Sequence, residues 1–181
     1  EFCNNFVEKG LIDKLTSVLN STAKRITYEE AMNKLIEVKD IFSETPEYGM
    51  DIGSEYEKYL TNELYKAPVF ITDWPKEMKA FYMKQNSDNK TVAAVDLVVP
   101  GAGELMGGSE RETDYDKLVT RMNELNIKTE PLDWYINLRK YGGVTHSGFG
   151  MGFERLIIYL TGVENIRDVI AYPRTAGNCE Y

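Results

Sequence analysis

The sequence predicts an α+β domain, a mostly antiparallel sheet flanked by helices, and three observations carry that prediction. Apolar residues recur at helical spacing up to about residue 66. Between residues 68 and 111 the pattern changes to short, β-rich runs separated by turn residues. Helical spacing then returns, and three alternating glycines, Gly148, Gly150 and Gly152, lead into an apolar helix.

Element by element, Phe2 and Phe6, then Leu11, Leu15, Val18 and Leu19, fit a helix interrupted near Gly10. Thr27 and Glu30 form a T-x-x-E capping pattern ahead of Ala31, Met32, Leu35 and Ile36. Ser54 and Glu57 repeat the pattern ahead of Tyr59, Leu60 and Leu64, so both stretches read as amphipathic surface helices. Strands are expected at Pro68–Thr72, Ala80–Lys84, Lys90–Val99 and Gly103–Arg111, with Asn86-Ser87-Asp88-Asn89 as a tight turn joining two of them. Residues 113–125 and 132–140 return to helix. Gly142-Gly143 ends the second of these before the final strand and helix. No internal repeat or low-complexity linker interrupts the chain.

Composition narrows the class. A chain of 181 residues, 43% hydrophobic and 28% charged, can bury one sizeable core and requires no second domain. The apolar runs Val92–Val95 and Leu156–Leu160 are far too short to span a membrane, and no signal segment opens the chain, so a soluble cytoplasmic protein is expected. The net charge of -8 disfavours a generic nucleic-acid clamp. Its acidic excess, in helix faces such as Glu29-Glu30 and Glu55-Glu57, reads as solvated. Cys3 and Cys179 lie at opposite ends and the chain has a single histidine, His146, so free thiols are expected and a zinc site is not. A start at Glu1 instead of Met marks the chain as an expected fragment.

The chemistry concentrates near the end, in Thr145-His146-Ser147-Gly148-Phe149-Gly150-Met151-Gly152-Phe153-Glu154-Arg155. Glycines at period two clear one strand face of side chains, either to let another element pack closely or to let a flat ligand lie on bare backbone. Arg155 falls in the first turn of the next helix, where free N–H groups favour an anion and a guanidinium can stack on a base or fork a phosphate. In the strand starting at Lys90, Asp96 shares a face with Val92, Ala94 and Val98, a costly place for a carboxylate unless it is paired. Glu104 lies in the following strand. Two carboxylates converging from neighbouring strands suit Mg²⁺ on a triphosphate; the alternative is that Asp96 caps a turn and Glu104 pairs with a surface lysine. Arg111 comes seven residues after Glu104, an odd separation that sends the two side chains to opposite faces unless a β-bulge at Gly107-Gly108 restores a common one. Otherwise Arg111 is a solvated member of the Glu110-Arg111-Glu112 cluster.

The string from His146 to Leu156, followed by Asn165–Ile170 and Tyr172-Pro173-Arg174-Thr175, resembles the third signature motif and C-terminus of class II aminoacyl-tRNA synthetases. Pro46–Asp51, Ser54–Leu60, Pro75–Met83, Lys90–Asp96 and Gly103–Glu112 are similar to segments of the aspartyl/asparaginyl/lysyl subgroup, and of its asparaginyl type in particular. The likeness runs from about Arg25 to Tyr181; Glu1–Lys24 carries no diagnostic string. It implies that residues 1–181 are the C-terminal portion of a class II catalytic domain, without the anticodon-binding domain. The implied activity is asparagine–tRNA ligation: L-asparagine and ATP condense to asparaginyl-adenylate, and the amino acid passes to tRNA(Asn). It also implies a homodimer in the whole protein. Among site residues it implies ATP contacts from Glu104, Gly152, Phe153, Glu154 and Arg155, amino-acid contacts from Arg111 and Gly107, and Mg²⁺ on Glu104 with Asp96.

The chain departs from the subgroup in three places: the spacing between Asp96 and Glu104 differs from the aspartyl type by one residue, Thr145 stands where proline is usual, and Tyr56 where histidine is usual. The first two signature motifs are missing, with no Phe-Arg-x-Glu string, so an incomplete active site is expected. Activation needs positioning and charge stabilisation more than a general base, because the attacking carboxylate is already ionised. His146 is therefore expected to orient the glycine strand or touch the nucleotide. Two other functions fit the same strings: a related asparagine synthetase that passes aspartyl-adenylate to ammonia, and a synthetase-like binding module without catalysis.

Overall fold

Gly10, in the left-handed region at φ 84°, separates α1 (Phe2–Phe6) from α2 (Leu11–Asn20), as the periodicity predicts. In the computed structural model, which describes residues 1–179, a short strand follows that the sequence pattern does not announce, β1 (Lys24–Thr27). Only Ile26 of its four residues is a buried apolar side chain. Thr27 ends that strand and caps α3 (Tyr28–Glu37): its hydroxyl accepts the Glu30 N–H at 3.1 Å, and the Glu30 carboxylate accepts the Thr27 N–H at 2.7 Å.

The second capping pattern does not form. Gly53 is the residue before α4 (Ser54–Lys58), no side chain caps it, and Ser54 is already helical. The Glu57 carboxylate is engaged instead by the sheet, as described below. A π-helical turn, Tyr59–Leu64, continues the element.

Four further strands, β2 (Val69–Pro75), β3 (Thr91–Val99), β4 (Gly103–Glu110) and β5 (Ser147–Met151), complete a sheet of order β1-β2-β3-β4-β5. β1 runs parallel to β2 through the α3–α4 crossover, and the other neighbours are antiparallel, so the mostly antiparallel expectation holds with one parallel pair. Ala80–Lys84, expected as a strand, is not one. Both edges of β3 are occupied, by β2 on one side and by β4 from Ala94 onward on the other. The segment forms only isolated bridges, Met83 with Arg111 at the end of β4, where the Lys84 N–H bonds the Glu110 carbonyl at 3.1 Å, and the adjoining Gln85 with Val92 at the start of β3, where the Ala93 N–H bonds the Lys84 carbonyl at 2.9 Å. The expected turn is present: the Asp88 carboxylate accepts the N–H groups of Lys90 and Thr91, each at 2.9 Å.

The main core lies between one sheet face and α3 and α4, with Tyr28, Met32, Leu35 and Leu60 packed on Val69, Ile71, Trp74 and Val98. α5 (Tyr115–Glu124), capped by Asp114, and α6 (Asp133–Lys140) build a smaller cluster from Leu118, Met122 and Ile136. α7 (Phe153–Thr161) follows β5 and stops at Gly162, φ 74°. Cys3 and Cys179 are free thiols. No described helix is long and apolar enough to cross a membrane. Glu180 and Tyr181, the end of the stretch that resembles the synthetases, lie outside the described residues.

Candidate active site

Strand register places Ile71, Asp96, Gly107 and Gly150 in one row across β2, β3, β4 and β5, with Ala94, Ser109 and Gly148 in the next. At β2 and β3 this face carries the core. At β5 it is bare. A Cβ built on Gly150 would meet nothing within 4 Å of this chain's described atoms, so at that glycine the face is open within the chain. At Gly148 a Cβ would lie 2.8 Å from Nη2 of Arg111, and at Gly152 it would lie 3.3 Å from Cγ of Arg155. The open glycine therefore sits between two arginines, on a strand where residues four apart are roughly 13 Å apart. Gly108, paired with Phe149, lets β5 come close to β4: a Cβ there would be 2.8 Å from the Gly148 carbonyl oxygen.

Glu104 and Arg111 do share a face, through a bulge one turn of the pleat earlier than expected. Leu97 stands opposite Met106 while Val98 stands opposite Glu104, so the extra residue is the buried Leu105 and not Gly107 or Gly108. The two glycines serve other ends. Gly108 admits β5, and Gly107 lies beneath the carboxylates: a Cβ there would be 3.0 Å from Oε1 of Glu104 and 3.2 Å from Oδ1 of Asp96. Asp96 and Glu104 thus converge. Asp96 is paired with Lys79, whose Nζ lies 2.6 Å from its Oδ2 and 3.8 Å above the centre of the Trp74 ring. The carboxylate buried in an apolar row has the cation it requires. Glu104 has no ion-pair partner among the described residues.

Those residues contain no cluster of three or more acidic, histidine or cysteine side chains able to cage a metal. Mg²⁺ on a triphosphate needs only one or two carboxylates, since phosphate oxygens and water complete its shell, so Glu104 with Asp96 nearby fits that ion and would not fit a metal that demands an all-protein cage.

Arg111 is held in place by its neighbours. Its backbone N–H donates to the His146 carbonyl at 2.9 Å, its guanidinium donates to the Ser109 hydroxyl, and its Cζ lies 4.9 Å from the centre of the Tyr82 ring. It is not a solvated member of a charge cluster. His146 acts through its main chain, with ring Nδ1 turned 2.8 Å from the Val144 carbonyl of its own loop. Gly152 precedes α7, and Phe153, Glu154 and Arg155 form its first turn. Of the three, Arg155 reaches across the sheet, and its Nη1 donates to the Glu104 carbonyl at 2.8 Å. Phe153 is exposed, and no hydrogen bond or ion pair joins it or Glu154 to the cleft among the described residues. Tyr56 is core: its hydroxyl donates to the Glu44 carbonyl at 2.8 Å and its ring packs edge-on against Phe42.

Sequence reasoning passed over Glu57. With Asp51, Trp74, Asp96, Glu104 and Arg155 it lines a cavity of about 350 Å³. Its carboxylate lies against the backbone at Gly103, where an added Cβ would be 2.5 Å from its Oε2. Burial, and then the charge of Glu104, push its pKa up to about 7, with Asp51 adding to the rise and the Glu104 N–H and Arg155 opposing it. Helical periodicity gave no signal, because Glu57 is one position round from the buried Tyr56 on the face that reads as polar.

A folded pKa of about 7 against an ordinary 4.5 means that Glu57 favours the fold fully below pH 4.5 and that this contribution is lost as pH rises through 7. At about 1.4 kcal/mol per unit the loss is at most about 3 kcal/mol, and solvent screening of a group this open reduces it to about 1–2 kcal/mol. Denaturant titrations across this range should show the decline in the parent and its absence in Glu57→Gln. Equal slopes in both would mean that Glu57 titrates as an ordinary carboxylate.

Residues 2–176 match the family described as tRNA synthetases class II (D, K and N). An asparagine–tRNA ligase of Acholeplasma laidlawii (strain PG-8A) is 56% identical over 177 residues, 98% of this chain and 38% of that protein. One of Clostridium botulinum (strain Langeland) is 54% identical over 180 residues, covering 99% and 39%. The crystal structure of asparaginyl-tRNA synthetase from Pyrococcus horikoshii complexed with asparaginyl-adenylate superposes with a TM-score of 0.83 at 37% identity, over 97% of this chain and 41% of that one. The chain spans about two fifths of the length of these relatives. With the family match running over almost every residue, and the signature glycines, Glu104, Arg111 and Arg155 gathered on one sheet face, the chain belongs to the class II tRNA synthetases of the D, K and N group.

Proposed function

We propose that this chain works as the C-terminal portion of the catalytic domain of an asparagine–tRNA ligase, with the first two signature motifs and the anticodon-binding domain supplied by the rest of a cytoplasmic, homodimeric protein. The observation that carries this reading is the open Gly150 shelf between Arg111 and Arg155, with the Glu104 and Asp96 carboxylates on the neighbouring strands. The length and flatness of the shelf suit an adenylate, and the two guanidinia suit its two ends.

In this reading the adenine ring of ATP lies on the backbone at Gly150 and Gly152, where Arg155 covers it or forks a phosphate, with Phe153 and Glu154 at the same helix turn. Glu104, with Asp96, holds Mg²⁺ on the triphosphate, an ion that neutralises phosphate charge when bound. Arg111 takes the side-chain carbonyl of L-asparagine, and Gly107 leaves the amino acid room. The α-carboxylate of asparagine attacks the α-phosphate, pyrophosphate leaves, and the adenylate then passes its asparaginyl group to the terminal adenosine of tRNA(Asn), releasing AMP. The contribution of these residues is to place two anions in line and to balance their charge.

Arg111 alone suits both asparagine and aspartate, so the amino acid is the sharpest test. In the full-length protein, pyrophosphate exchange with asparagine should exceed that with aspartate at least about a hundredfold, a gap of roughly 2.7 kcal/mol that one polar mismatch supplies. Equal or better exchange with aspartate would overturn the assignment of the amino acid. Exchange with neither would overturn the proposed activity.

A further inference from the structure

The two carboxylate oxygens of Asp96 have different neighbours. Oδ1 faces Gly107, where a built Cβ would lie 3.2 Å from it and 3.0 Å from Oε1 of Glu104. Oδ2 accepts from Nζ of Lys79 at 2.6 Å. Lys79 is itself fixed from two directions. A register slip between Thr72 and Trp74, with Asp73 at φ 56°, brings Trp74 into the core, and its Nε1 donates to the Ile71 carbonyl at 3.1 Å. The Lys79 ammonium lies 3.8 Å above the centre of that ring. Lys79 also follows a 3-10 turn, Lys76–Met78, whose first carbonyl accepts Nη2 of the buried Arg121 at 2.8 Å. The Lys79 and Asp96 side chains are 18% and 13% exposed, so water screens the pair weakly and competes little for Oδ2.

Glu104, without an ion-pair partner among the described residues, keeps both of its oxygens, while Asp96 keeps one. The pair thus presents three oxygens and not four. That count matters for the choice of ion. Ca²⁺ takes more oxygens at longer distances and often binds a carboxylate through both of them, whereas Mg²⁺ demands a tight octahedron, which the narrow bite of one carboxylate distorts, and it retains water instead. We propose that Lys79 is a positioning residue that reserves Oδ2 of Asp96 and so biases the site toward Mg²⁺ and against Ca²⁺, an inference that rests on the reading of Glu104 and Asp96 as the magnesium carboxylates. Lys79 touches neither metal nor nucleotide and acts through Asp96, by denying the larger ion its second oxygen.

Two variants release that oxygen in the full-length protein. Lys79→Met keeps the stem over Trp74 and removes the ammonium. Lys79→Gln stays polar and is shorter by one bond, roughly 1.5 Å. Lys79→Arg keeps a cation on the carboxylate. Enzyme-bound Mn²⁺ is followed by electron paramagnetic resonance with a saturating non-hydrolysable ATP analogue, and is displaced by Ca²⁺ or by Mg²⁺. The ratio of the two half-displacing concentrations measures selectivity, and comparing that ratio with the parent's cancels the preference of the nucleotide. Thermal denaturation identifies the variants that fold. In Lys79→Met the ratio should shift toward Ca²⁺ about tenfold, within the range by which residues in contact couple, and in Lys79→Gln it should shift the same way. Lys79→Arg should stay within about twofold of the parent. In an Asp96→Asn background Lys79→Met should no longer change the ratio.

An unchanged ratio in whichever of Lys79→Met and Lys79→Gln folds would overturn the proposal, as would equal weakening of both ions, which is what a purely structural contact predicts. A shift that persists in the Asp96→Asn background would also overturn it, because Lys79 would then act by some route other than Oδ2. Glu104→Gln and Asp96→Asn alone separate the two levels. If they weaken Mn²⁺ binding while the Lys79 variants leave the ratio unmoved, only the role of Lys79 fails. If neither weakens it, the reading of the metal site fails and the role of Lys79 with it.

Discussion

Arg111→Leu in the full-length protein should lower asparagine-dependent pyrophosphate exchange at least about a hundredfold while leaving the fold intact. The guanidinium can make two parallel, charge-assisted bonds to a carbonyl or carboxylate, each worth about 1.5–3 kcal/mol, and their joint loss leaves the polar end of the substrate buried without a partner. The sum, about 3–6 kcal/mol, spans roughly two to four powers of ten in rate. Folding should survive because the strand is held there by the backbone bond from residue 111 to His146, which the substitution keeps. Arg111→Lys should fall between the two, since a point charge cannot fork. Exchange in Arg111→Leu within about tenfold of the parent would remove this residue from the amino-acid site.

Gly150→Val and Gly108→Ala should fail in opposite ways. At Gly150 a side chain meets open space and the backbone is ordinary strand, so valine fits, and its β-propensity should leave the melting temperature equal or higher. The same methyl groups occupy the shelf, and ATP-dependent exchange should drop about tenfold to a hundredfold as the ligand is pushed off the sheet. At Gly108 the added carbon would lie 2.8 Å from the Gly148 carbonyl oxygen and 2.9 Å from Cβ of Phe149, and backbone cannot yield cheaply. Alanine there should destabilise the fold by about 1–3 kcal/mol. Thermal denaturation and exchange kinetics on both variants decide it. An active Gly150→Val enzyme would mean that the open face is not where the nucleotide lies.

What could be read from the residues alone was what short range controls. The capping box at Thr27, the break at Gly10 and the Asp88 turn each depend on a few neighbouring residues, and each formed. Long-range competition explains the rest. Ser54 repeats the Thr27 pattern, but its Glu57 carboxylate lies instead against the backbone at Gly103, at the start of β4. Ala80–Lys84 has strand-forming side chains, but only the end of β4 and the start of β3 are left to it, and it makes isolated bridges there. β1 has too few apolar residues to signal itself and exists because β2 offers a parallel edge. For the site, the common face of Glu104 and Arg111 followed from counting, yet a buried leucine supplies the bulge that the glycines suggested. The pairing of Asp96 was legible as a requirement, because an apolar row demands it. Its partner, Lys79, was not, since nothing local links residues 79 and 96.

β5 is the last strand of the sheet among the described residues, five residues long with two glycines, and none of its side chains is fully buried. Such a strand contributes little to its own docking, because glycine carries a large entropy cost on ordering and no apolar side chain to offset it. A nucleotide resting on Gly150 and touching Arg155 binds the docked strand and has no comparable affinity for the detached one. By mass action a ligand at a hundred times its dissociation constant then adds about 2.7 kcal/mol to the stability of the docked state. On the proposed function, nucleotide binding and the docking of β5 onto β4 are therefore linked, each favouring the other by the same free energy.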